Sequence, residues 1–118
     1  MPNKPNLIQQ KTFQFSLKLL KYARYLRQKH EYDIARQLVR CGTSVGANVE
    51  EAIGAQSRKD FISKLSIARK EARETNYWLL LLQHYDIVNE DLLLLVSEID
   101  KIIAILTAII KTISNKNP

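Results

Sequence analysis

The sequence predicts an all-α protein, an antiparallel up-down-up-down four-helix bundle. Three observations lead there. Leu92, Leu95, Ile99, Ile102, Leu106, Ile109 and Ile113 hold a 3-4-3-4 spacing, which keeps one narrow apolar seam facing a partner for roughly six helical turns. Phe61, Leu65, Ala68, Ala72, Thr75, Leu79 and Leu82 repeat the pattern just upstream. Only three Gly and three Pro occur, with Pro2 and Pro118 at the ends, so the interior lacks the breakers of a many-turned β fold. The 118 residues suit one domain, which buries roughly two-thirds of its unfolded surface without metals or disulfides.

Helix one is expected over about 8–29, with Ile8, Phe15, Leu19, Tyr22 and Leu26 on its seam and Thr12 as the weak position. Residues 1–6 read as frayed. Helix two is expected over 33–56: Asp33 can cap it by accepting from free N–H groups of the first turn. Its seam reads Ile34, Leu38, Cys41, Val45, Asn48, Ala52 and Ala55. Helix three is expected over 58–84, capped by Ser57 with Asp60 as a short-armed capping box. Helix four is expected over 89–113, opened by Asn89, with Glu90 and Asp91 where the helix dipole favours acids. The tail 114–118 reads as disordered. Every link is short, so each helix lies antiparallel to the next.

Helix two is the odd one. Gly42 and Gly46 each cost about 1 kcal/mol relative to alanine. With Ala47, Ala52 and Ala55 they offer a smooth surface for a closely approaching neighbour; a kink near Gly46 is the alternative. Asn48, one turn from Ser44, is expected on the core-facing stripe. There it either fixes register by bonding a facing helix or contacts a ligand at a groove; the first is the plainer expectation.

Chemistry is sparse. Glu50, Glu51, Glu71 and Glu74 are carboxylates, but the Glu-x-x-His pattern of di-iron bundles is missing and the two histidines, His30 and His84, fall at helix ends. Glu51 or Glu74 is expected to pair with an arginine such as Arg40, Arg58 or Arg73. Cys41 lies on an apolar seam and reads as an inert thiol, and Gly42-x-x-x-Gly46 lacks the ending of a phosphate loop. No catalytic residue, metal or cofactor is expected, and an enzyme is not.

Charge is uneven. Residues 1–59 hold eleven Lys and Arg against four acids, and residues 60–118 seven against eight. The first half is therefore +7 and the second −1, which points to a polyanionic partner for one face. A solvated, lysine-rich surface is the bland alternative. The lone cysteine and the polar first dozen residues suggest the cytoplasm. Glu98, Asp100 and Lys101 interrupt the greasy last helix, at about 2.5 to 3.5 kcal/mol each in a bilayer, so no membrane association is expected.

Two stretches carry a resemblance. Arg40-Cys41-Gly42-Thr43-Ser44-Val45-Gly46-Ala47-Asn48-Val49-Glu50-Glu51-Ala52 is one. Ser57-Arg58-Lys59-Asp60-Phe61-Ile62, continuing through Leu65, Ile67 and Ala68 to Glu71-Ala72-Arg73-Glu74-Thr75 and Tyr77-Trp78-Leu79, is the other. Together they resemble the bacterial "four helix bundle protein" family, which includes proteins encoded in intervening sequences of 23S ribosomal RNA genes. The match spans about residues 10–110. Gly46 stands where many members have proline, and Ala52 where many have glycine. The resemblance implies a left-handed bundle assembling into rings of five subunits. It also implies kinship with the basic accessory variability protein of diversity-generating retroelements, a pentamer that works with a reverse transcriptase. Ser44, Asn48, Glu51, Phe61 and Glu74 match the motif, with no catalytic role implied.

The expected function is a non-enzymatic, homo-oligomeric scaffold that binds nucleic acid, RNA first, through phosphates and with little sequence reading. Lys11, Lys18, Lys21, Arg24, Arg27 and Lys29 fan around helix one, and Arg36, Arg40, Arg58 and Lys59 are expected to extend the field. Aromatics barely alternate with these charges, Tyr22 and Tyr25 apart, so base contacts are weakly supported. The rival is a protein-interaction module, such as an accessory subunit for a polymerase or reverse transcriptase. Tyr77 and Trp78 are the expected subunit contacts, with Trp78 completing the intramolecular core as the alternative.

Overall fold

The computed structural model describes residues 6–115. It contains four helices: α1 (Leu7–Gln28), α2 (Tyr32–Ile53), α3 (Arg58–His84) and α4 (Glu90–Ser114). Neighbours run α1–α2, α2–α3, α3–α4 and α4–α1 around a square, with α1 and α3 on one diagonal. Cross-helix pairs show each neighbour to be antiparallel. Gln9 meets Glu50 and Leu19 meets Gly42 between α1 and α2, and Arg40 meets Glu74 while Glu51 meets Lys64 between α2 and α3. The result is a rod of 51 × 24 × 21 Å, close to what one helix of this length demands at about 1.5 Å per residue plus its turns.

The α1 and α3 seams fall as their spacing predicts, with Phe15, Leu19, Tyr22, Leu65, Leu79 and Leu82 among the buried side chains. Phe61 is only half-buried at the edge of the core. Two seams differ from the sequence expectation. In α4 the buried row runs Leu92, Leu95, Ile99, Ile102, Leu106 and then Ile110, leaving Ile109 and Ile113 half-buried. A straight helix drifts about 20° per heptad, so the row moves on by one residue near its end. In α2 the buried track includes Ala35, Gly42 and Val49, while Ile34 and Asn48 sit at its margin and Ala47 is exposed. The two tracks lie side by side and share Leu38, Val45 and Ala52, and α1 approaches on the Gly42 side. A Cβ on Gly42 would lie 2.4 Å from Leu19 Cδ1, and one on Gly46 3.4 Å from the Thr12 carbonyl. Those glycines thus serve close packing, and α2 continues through them as one helix.

Helix ends explain the remaining boundaries. Ser57 accepts from the Asp60 N–H at 3.0 Å and Asn89 from the Leu92 N–H at 2.9 Å, as expected. Asn6, read from sequence as frayed, is the N-cap of α1 and accepts from Gln9 N–H at 3.1 Å. Ser114 still belongs to α4, and the other positions expected to be frayed, 1–5 and 116–118, lie outside the described residues. Asp33 is not a cap. His30 takes a left-handed conformation (φ 64°) and the Glu31 N–H returns to the Leu26 carbonyl. That closure starts α2 at Tyr32 with Glu31 in the cap position and no side-chain cap bond. Asp33 falls in the first turn and pairs with Arg36. Asp86 (φ 75°) closes α3 in the same way, with Ile87 N–H on the Leu82 carbonyl. At the other end of α2, Gly54 caps a helix that stops at Ile53, three residues short of Gln56.

Candidate nucleic-acid interface

The amphipathic pattern that buries one side of α1 leaves its cations on the other. Lys11, Lys21, Arg24, Arg27 and Lys29 are exposed, and no carboxylate pairs with any of them among the described residues. Lys29 lies 5.7 Å from the centre of the Tyr25 ring, a cation–π contact that leaves its charge uncompensated. Lys18 is different: it is ion-paired with Glu98 of α4. This acid lies about eighty positions away in sequence, so no pattern along α1 signals the pair.

The α1–α4 groove holds this pair within a cavity of about 320 Å³ whose rim carries Lys11, Lys18 and Lys101, with Gln10 and Gln14 beside them. Lys101 joins from the half of the chain that is net acidic, and the antiparallel register of α1 and α4 is what delivers it. Three ammonium groups around one carboxylate leave the groove cationic. Amides and ammonium groups of this kind suit phosphate oxygens.

Arg36 and Arg40 meet Arg27 across the α1–α2 seam, where with Tyr32 and Val39 they line a shallow cleft of about 490 Å³. Arg40 is held by its own surroundings: it donates to the Gln37 amide oxygen at 3.0 Å, pairs with Glu74 and lies 3.7 Å from Glu71. It is thus largely neutralised. Arg58 and Lys59 are exposed at the start of α3, diagonal to α1, so the structure does not bring them into the field of the α1 cations. Nothing local in the sequence marks Tyr32, which joins these charges only through the turn between α1 and α2.

The motif residues gather elsewhere, on the α2–α3 seam. Asn48 donates to the Ser44 carbonyl at 2.9 Å and lies 3.0 Å from the Ser44 hydroxyl. It therefore bonds its own helix, not the facing one. Glu74 accepts from Trp78 Nε1–H at 3.0 Å as well as from Arg40, while Glu51 pairs with Lys64 at 3.7 Å rather than with an arginine. Trp78 is partly buried against the core and Tyr77 is 58 % exposed, their rings edge-to-face. The Thr75 hydroxyl donates to the Glu71 carbonyl and lies 3.3 Å from Cys41 Sγ. Burial pushes the Cys41 thiol up, against a smaller lowering by Thr75, which keeps it protonated and inert. Among the described residues no three His, Cys, Asp or Glu side chains gather as a metal site, and no helix is long and apolar enough to cross a membrane.

The sequence profile of the 23S rRNA-intervening sequence protein family matches residues 4–108. The chain belongs to that family. Its fold is shared with a crystal structure from Bacteroides thetaiotaomicron described as a protein of unknown function from the S23 ribosomal protein family. The two are 38 % identical with a TM-score of 0.84, over 88 % of this chain and 98 % of the other. No curated protein is significantly similar. In this 23S rRNA-intervening sequence family member, the motif carboxylates Glu51 and Glu74 tie α2 to α3, Ser44 and Asn48 bond within α2, and the cations of α1 stand apart from them.

Proposed function

We propose that this protein is a non-enzymatic oligomeric scaffold of the cytoplasm that binds nucleic acid, RNA first, through the outer side of α1 with little sequence specificity. The observation that carries this reading is the set Lys11, Lys21, Arg24, Arg27 and Lys29, exposed around the solvent side of α1 from its α4 flank to its α2 flank, with no carboxylate paired to any of them among the described residues. Uncompensated charge of one sign along a rod matches the regular phosphates of a strand, and it acts through counterion release rather than base recognition. The names of the family and of its solved relative, both tied to ribosomal genes or ribosomes, lean the same way.

Self-association multiplies this field. Phe13, Leu17 and Leu20 are 62 %, 50 % and 41 % exposed on successive turns of α1, an apolar stripe of the kind subunits cover. A ring of five is the assembly that the family resemblance suggests. The same stripe also suits the alternative partner, a polymerase-like protein that this chain would assist. Retention of labelled RNA on a filter separates the two readings. The native protein is expected to retain RNA at low salt, and the Lys21→Glu, Arg24→Glu, Arg27→Glu variant is expected to lose that retention while still folding. Retention by neither protein would leave the protein-partner reading.

A further inference from the structure

The cleft between the end of α1 and the start of α2 differs from the rest of the basic surface, because it sets an exposed aromatic ring among guanidinium groups. Tyr32 is 53 % exposed and lines the cleft together with Arg27, Arg36, Val39 and Arg40. The His30 ring packs edge-to-face with it, centroids 5.8 Å apart, and more than half of the Tyr32 surface remains in solvent. The cleft is shallow and open to solvent, about 490 Å³, room for one base lying along its surface. Val39 adds an apolar floor, and Arg40, tied to Glu74 and Gln37, forms a fixed wall.

Two of the guanidinium groups remain able to take an anion. Arg27 has no carboxylate partner among the described residues. Arg36 pairs with Asp33, whose side chain is 98 % exposed, and such a solvated pair is weak enough for a phosphate to displace.

We propose that this cleft takes one unpaired nucleotide of a single strand, its base stacked on Tyr32 over Val39 and its phosphate on Arg27 and Arg36. The inference rests on the nucleic-acid reading above and adds to it a preference for single strands. An open ring beside cations is how sequence-tolerant single-strand binding is built: every base has a π-face, whereas the bases of a duplex are already stacked and offer none. Lysine grooves elsewhere on the surface meet phosphates of either form equally.

The test compares three fluorescent probes by anisotropy at low salt: a single-stranded RNA of about 12 nucleotides, its duplex, and an inorganic polyphosphate of similar charge. Tyr32→Ala is expected to weaken the single strand about tenfold, as loss of one stacked base does, and to leave the duplex and polyphosphate within about twofold. Tyr32→Phe is expected to bind like the native protein. The far-ultraviolet circular dichroism of each variant checks that the helices persist. An unchanged single-strand affinity in Tyr32→Ala, or an equal loss for all three probes, overturns the cleft assignment alone. Native protein that binds none of the probes overturns both this inference and the function it rests on.

Discussion

Tyr22 shows how one side chain ties the rod together and writes a pH dependence into it. Its ring is fully buried and its hydroxyl donates to the Ile87 carbonyl at 3.0 Å, joining α1 to the α3–α4 turn. Burial, with a smaller push from Tyr25, raises the phenol above its ordinary value of 10.0. Above that pH the unfolded chain releases this proton while the native state keeps it. The stability Tyr22 confers is thus complete below about pH 10 and declines as pH rises beyond it. Tyr22→Phe is expected to cost about 1 kcal/mol at neutral pH, because the Ile87 carbonyl loses its donor. Urea midpoints should show the gap between native and variant narrowing above pH 10. A gap that widens there would contradict the assignment, and the comparison cancels the lysines that titrate in the same range.

The packing of α1 on α2 depends on Gly42 far more than on the other glycines. Its missing Cβ leaves room for Leu19, whose fully buried side chain would have to shift within the core to admit one. Gly42→Ala gains about 1 kcal/mol of helix propensity but forces a repacking that costs about 1 to 3 kcal/mol, so net destabilisation is expected in urea melts. Gly54→Ala meets nothing closer than 3.9 Å at φ −89°. It is expected to be neutral or to stabilise by less than about 1 kcal/mol. A more stable Gly42→Ala would show that α1 and α2 are not in close contact. The glycines in α2 announced a close neighbour from sequence, and the heptads announced α3 and α4, because those signals are local and periodic. On α2 the expected Leu38, Cys41, Val45 and Ala52 are buried, but Ala35, Gly42 and Val49 widen the seam and leave Ile34 and Asn48 at its margin, because α1 approaches through Leu19 on the Gly42 side. The turns hid their chemistry for a related reason: His30 and Asp86 occupy left-handed positions where a glycine would have been the visible sign. The candidate interface was half legible. The cations of α1 lie in one stretch of sequence, whereas Glu98, Lys101 and Tyr32 join them only through the register of neighbouring helices.

A rod of 51 Å whose α1 carries exposed cations around and beyond the apolar Phe13, Leu17 and Leu20 has surface to be covered by its own copies and by an anion. If Phe13, Leu17 and Leu20 form the subunit contact, light scattering should report an oligomer, and Phe13→Lys with Leu17→Lys should reduce it to a monomer with unchanged helicity. An oligomer indifferent to those changes would move the contact to Tyr77 and its neighbours on α3. Assembly and binding are coupled in this account, since repeated subunits multiply a modest charge of +6 into a field that long strands sense cooperatively. The most direct measurement is the salt dependence of RNA retention by the native protein. Each phosphate neutralised on single-stranded RNA contributes about −0.7 to the slope of log affinity against log salt. Engagement of three or more α1 cations therefore gives a slope of about −2 or steeper, the same for RNAs of unrelated sequence. A slope near zero, or affinity confined to one sequence, would contradict a cationic helix as the binding surface.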